Sequence, residues 1–167
     1  MGHNIEAIIT KEKPNSETLK SLDISIFKEG DFNIIPLDSC HLTFWGKKWN
    51  TFDEYGELFG GVNMICLKSI ERLAVELNIA DFIIIGTDYH AGIGDQAARV
   101  YKNSTFVNIK GTFYNNNFGL KGVDINSALK EIGVIKLEDM DEFDTIKLSK
   151  YRSFESYFTA YEKYCDE

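Results

Sequence analysis

"DFIIIGTDYHAGIGDQAARVYKN" (residues 81–103) decides how this chain folds. Its first half is a continuous apolar run ending in polar residues, which predicts a strand over 80–90, buried on both faces near the middle of a sheet. The second half has two readings. Gly92 and Gly94 could open a phosphate-cradling loop before a helix, which would suggest an enzyme. They could equally shape a tight turn between two strands. A dinucleotide fingerprint needs a third glycine where this chain has Ala97, and a P-loop needs a Gly-Lys-Ser/Thr run that is missing here. "QAARVYKN" moreover alternates like a strand, so the turn reading wins and the glycines serve φ or a bulge.

Outward from this hairpin, "STFVNIKG" predicts a further strand joined at Asn103 and Ser104. "NIEAIIT" and "FNIIPLD" predict strands near the N-terminus, with Pro36 marking an edge or a bulge. Asn15 or Ser16 caps a short helix in "PNSETLKSL". Helical spacing predicts a helix over 62–78, with Cys66, Leu67, Ile70, Leu73, Ala74 and Leu77 on its buried side. Asp124 caps a helix in "DINSALKEIGV", with Ile125, Ala128, Leu129 and Ile132 inward and Gly133 closing it. "SFESYFTAYEKY" predicts a last helix. Its aromatic stripe would give a structural module a surface for self-association. The expectation is an α/β fold (α+β as the variant) over residues 1–167: a single-domain sandwich with a mixed, partly antiparallel sheet and flanking helices.

At 167 residues the chain can bury a core without staples, and its 44% hydrophobic content is ordinary. The net charge of −8 argues against nucleic acid as the main partner and suits solubility or a basic protein partner. Cys40, Cys66 and Cys165 are odd in number and scattered, which predicts reduced thiols and a cytoplasmic protein. "MGHNIEAIIT" lacks a basic region followed by a long apolar run, so no signal peptide is expected. Glu6 stands where a myristoylation motif needs Ser or Thr. No segment approaches the roughly 20 apolar residues of a membrane span.

Several constellations could carry function. Asp88 and His90 share one face of a strand and could form an acid–base pair beside the Gly92 and Gly94 turn; this is the alternative reading, a small enzyme or nucleotide-binding domain. His3, His41 and His90 lack metal-ligand spacing, so neither metal nor cofactor is expected. "CHLTFWGKKWNTFDEYGELFGG" crowds six aromatic side chains together, Trp45, Trp49 and Tyr55 among them. They read as a cluster over one end of the sheet or as interface anchors. Thr51 to Glu54 reads as a capping box, starting a helix that ends at Gly60 and Gly61. Finally, Glu138, Asp139, Asp141, Glu142 and Asp144 put five carboxylates into seven residues. They form either a solvated loop or a docking patch for a lysine- and arginine-rich surface. Lys147, Lys150 and Arg152 could neutralise part of it.

Three pieces, in order, resemble a largely uncharacterised family of small bacterial proteins. "TDYHAGIGDQAARVY" is similar to a Glu-Tyr-Phe-Gly-Gly-x-Gly-x-Gln-x-Ala strand-turn-strand, and "INSALKEIGV" to an Ile-Asn-x-Ala-Leu-x-x-Leu-Gly-Val helix. "DEFDTIKLSKYRS" is similar to an Asp-Glu-Phe-Asp-x-Leu-x-Leu-x-x-x-Arg ending. The resemblance covers the second half and departs at Tyr89, His90 and Ala91, where the pattern has an aromatic and two glycines. It implies an immunity-type protein of contact-dependent growth inhibition or another polymorphic toxin system. Such a protein would bind and neutralise a cognate toxin C-terminal domain without catalysis. A basic nuclease is the natural target. The expected contacts are Glu138, Asp139, Asp141, Glu142 and Asp144, with Trp45, Trp49 and Tyr55 as anchors.

Overall fold

The computed structural model describes residues 2–53, 58–59, 65–91, 93–111, 113–115 and 120–165, with only the backbone of 58–59, 65–66, 113–115 and 120–122. Six strands form one sheet: β1 (Glu6–Thr10), β2 (Phe27–Glu29), β3 (Phe32–Pro36), β6 (Phe82–His90), β7 (Ile93–Lys102) and β8 (Thr105–Val107), in the order β2-β3-β1-β6-β7-β8. Two short two-stranded ribbons complete the strands, β4 (Leu58–Phe59) with β5 (Ile65–Cys66) and β9 (Phe113–Asn115) with β10 (Leu120–Gly122). The expected α/β architecture with flanking helices holds. The expected mixture of pairings does not, because every described pair is antiparallel. Tight hairpins join β2 to β3, β6 to β7 and β7 to β8, and such short connections admit only antiparallel neighbours.

The isoleucine run explains the central position of β6. Ile83, Ile84 and Ile85 are all fully buried, so side chains on both faces of the strand are covered. On one face Phe82 stacks on Tyr101 at 4.6 Å, and the Tyr101 hydroxyl donates to Glu71 of α3 (Leu67–Glu76). The opposite face carries α4 (Ile125–Glu131) and α5 (Glu142–Thr145). At the β7–β8 turn, Asn103 and Ser104 both take positive φ, as a two-residue hairpin of this hand requires.

Capping residues set the helix starts. Asn15 accepts from Glu17 and Thr18 at α1 (Ser16–Ser21), and Asp124 accepts from Ser127 at α4. Asp38 accepts from His41 N at 2.9 Å and starts α2 (Ser39–Trp49), which Asn50 ends in the left-handed region. That helix corrects the expectation of a start at Thr51. Thr51 Oγ1 instead bonds to Ser69 at 3.2 Å, and Glu54, Gly60 and Gly61 lie outside the described residues. α3 begins at Leu67 rather than 62, with Cys66 in β5. The C-terminal aromatic stripe forms two 3-10 turns, Glu155–Tyr157 and Thr159–Tyr164, rather than an α-helix. Phe154, Phe158 and Tyr161 are buried within the fold, so that stripe offers little surface for self-association.

Cys40 and Cys165 form a disulfide, which corrects the expectation of scattered reduced thiols. The 3-10 turns fold back along α2, and Tyr161 and Tyr164 lie on Phe44, which carries Cys165 to the first turn of that helix. No helix of the described residues is long and apolar enough to cross a membrane.

Candidate functional site

The β6–β7 hairpin, α4 and α5 meet around one cavity of about 220 Å³. The β6–β7 hairpin contributes Thr87, Tyr89 and Gln96, α4 contributes Asn126, and α5 contributes Asp141 and Phe143. His3 closes it from the segment before β1, where it bridges Tyr89, with Nδ1 2.8 Å from Thr87 Oγ1 and its ring tilted on Phe143 at 5.3 Å. Burial lowers the His3 pKa; the Leu148 carbonyl opposes this, and Arg152 adds to it. A neutral imidazole here bonds two parts of the chain together. Asn126 spans the gap to α5, donating to Asp141 at 3.1 Å and accepting from Phe143 N at 3.0 Å. These polar side chains are spent on one another, so the cavity wall is a tie between hairpin and helices.

The hairpin itself answers the glycine question. His90 faces Ile93 across the turn and Tyr89 faces Gly94. A Cβ at Gly94 would sit 1.9 Å from the Asp88 carbonyl oxygen, so this glycine permits close approach of two backbones. Gly92 lies outside the described residues. Asp88 is half-buried, whereas His90 is exposed at the tip. Among the described residues no group of three or more His, Cys, Asp or Glu could hold a metal ion.

The acidic run divides. Asp141 is the N-cap of α5, accepting from Asp144 N at 2.8 Å, and Glu142 is buried with Lys130 Nζ 3.5 Å away. Both therefore have structural tasks. Glu138, Asp139 and Asp144 are exposed. The lysines expected to neutralise the run turn elsewhere, since Lys147 and Lys150 both pair with the buried Glu29. The loop between α4 and α5 also exposes three large apolar side chains, Ile135 at 86%, Leu137 at 58% and Met140 at 47%. Sequence reasoning passed over them. The available signal was an apolar set interleaved with acids at no helical or strand period.

The aromatic candidates lie elsewhere. Trp45 and Trp49 stack at 5.7 Å on α2, half-buried, with Lys48 Nζ 4.7 Å above Trp45. Their helix packs with α3 and the last 3-10 turn, while the acidic loop follows α4, so the two groups of expected contacts are not brought together. Tyr55 lies outside the described residues. Compared with known proteins, the chain matches no family model, no curated protein and no solved structure.

Proposed function

We propose that this chain is an immunity-type protein that binds a basic toxin domain through the loop between α4 and α5. The observation that carries the reading is the exposure of Ile135, Leu137 and Met140 among Glu138, Asp139 and Asp144. Exposed large apolar side chains clustered in one short loop mark interaction surfaces, and burying them on a partner supplies the desolvated centre of an interface. Surrounding carboxylates steer a positively charged partner and reject a negative one. The overall charge of −8 adds a long-range field of the same sign. Blocking by binding requires no chemistry from this chain.

The reading takes the cytoplasm as the place of action. Thiols there are kept reduced, which makes the Cys40–Cys165 bond the feature most sensitive to compartment. The test is co-expression of the tagged chain with the product of the adjacent upstream open reading frame. A stoichiometric complex with a basic domain, lost in Leu137→Asp/Met140→Asp, supports the reading. A complex that survives both substitutions removes the loop from it, and no complex with a soluble, expressed neighbour removes the partner.

A further inference from the structure

Lysines gather in one groove of this acidic chain. The groove holds about 710 Å³ between the end of β1, helix α1 and the β2–β3 hairpin, and Lys11, Lys13 and Lys28 line it. Among the described residues none of the three forms an ion pair. Glu12 lies between two of them in sequence, but its carboxylate accepts from the amides of Ala80 and Asp81. Asp31 is the one acid among the described lining residues. Pro14, Leu19 and Ile26 supply the apolar part of the wall. Lys11 Nζ donates to the Gly133 carbonyl at 3.3 Å, so the groove adjoins the loop that leaves α4.

That loop is the groove's complement. With the first turn of α5 it exposes Glu138, Asp139 and Asp144, besides the capping Asp141, and one lysine, Lys136. Ile135, Leu137 and Met140 are its exposed apolar side chains. Three carboxylates thus match three unpaired lysines, Lys136 matches Asp31, and one apolar set matches the other. The loop is held in shape before any contact, since Leu137 N donates to Thr145 Oγ1 at 3.0 Å and Met140 N to the Leu137 carbonyl at 3.2 Å. Such preorganisation lowers the cost of binding. Its apolar side chains remain exposed, so the loop does not fill the groove beside it. A surface that carries a group and its complement side by side is self-complementary. About a two-fold axis, the loop of one copy meets the groove of the other, and symmetry repeats the contact.

We infer that the groove receives the loop between α4 and α5 of a second copy of this chain, forming a two-fold dimer with Lys11, Lys13 and Lys28 against Glu138, Asp139 and Asp144. Copies that each carry −8 repel at long range. At physiological salt, screening over about 8 Å removes most of that repulsion and spares contacts between close charges. The dimer covers the loop that the function proposed above gives to a basic partner, so partner and second copy compete. The dimer does not rest on that reading, and its test contains no partner.

Sedimentation equilibrium of the chain alone, from micromolar to near-millimolar concentration at physiological salt, is compared for the native protein, Lys13→Glu/Lys28→Glu and Glu138→Lys/Asp139→Lys. The native chain should dimerise reversibly, and each variant alone should dissociate about tenfold or more as readily, because like charges then face each other. The loop variant discriminates most sharply. It carries less net negative charge than the native chain, so general repulsion predicts tighter association where the groove predicts looser. An equimolar mixture of the two variants should form a heterodimer about as tight as the native dimer, since opposite signs meet again at both contacts. A native chain that stays monomeric overturns the inference, as does a dimer indifferent to either reversal. So does a mixture as monomeric as its components, both showing the native circular dichroism spectrum. A monomeric native chain whose groove binds poly-glutamate, with binding lost in Lys13→Glu/Lys28→Glu, overturns the dimer and gives the groove to another acidic protein.

Discussion

Reducing the bond between Cys40 and Cys165 should destabilise the protein more than any single core substitution. The two residues are separated by 125 positions, and their Cα atoms lie 4.6 Å apart, within the ordinary span of a bridge. In the chain-entropy account, opening a loop of that size frees about 5 kcal/mol of unfolded-state entropy. For a chain of this length that corresponds to a fall in Tm of roughly 10–20 °C. Guanidinium unfolding followed by the fluorescence of Trp45 and Trp49 would compare protein equilibrated in oxidised and in reduced glutathione. Thiol counting in denaturant identifies the two forms. The chain has three cysteines and the bond consumes two, so one thiol, Cys66, should react in the oxidised form and all three in the reduced form. Three reactive thiols after oxidation, or identical unfolding midpoints, would refute the argument.

Other outcomes follow from single groups. Gly94→Ala forces a methyl against the Asp88 carbonyl and should cost about 1–3 kcal/mol in chemical denaturation; a neutral result would mean the hairpin opens at no cost. Glu142→Ala should lower stability by about 1–3 kcal/mol while leaving partner association unchanged, because Glu142 is buried against Lys130. A slowed association with normal stability would return it to the interface. The folded Glu6 pKa of about 8 lies above its unfolded value near 4.5, so its stabilisation is complete below pH 4.5 and is lost as pH rises through 8. That amounts to roughly 1.4 kcal/mol per unit in between. Glu6→Gln should flatten this limb in pH-dependent unfolding and raise stability at neutral pH. His41 works oppositely. It is held down to about 4 by burial, so its contribution is present above 6.5 and is lost as pH falls through 4. An acid limb should therefore emerge in the Glu6→Gln background, and a profile unchanged by the substitution would contradict the account of Glu6.

The sheet was legible because its signals are local. An isoleucine run, an alternating partner strand and two residues able to take positive φ are enough to write β6, β7 and β8. The Asp124 cap and the stripe behind it write α4 in the same way. α2 escaped because its aromatics are spread around the helix and Asp38 reads equally well as the end of a strand. At the C-terminus, Phe154 and Tyr157 or Tyr161 and Tyr164 are three apart, a spacing that fits a 3-10 turn as well as an α-helix. A bridge spanning 125 residues leaves no trace in spacing. The acidic run was visible, but its division into a cap, a buried ion pair and an exposed remainder is tertiary information. So is the setting of Glu6, whose strand position predicts burial and says nothing of the acids near it.

The most direct measurement of the central claim is the association rate with the basic domain recovered by co-expression, at low and high salt, for the native chain and for Glu138→Lys/Asp139→Lys/Asp144→Lys. Association of the triple variant should be slower by about tenfold or more at low salt, with a flatter salt dependence. Rates and salt dependence equal to those of the native chain would contradict it and take the loop between α4 and α5 out of the interface.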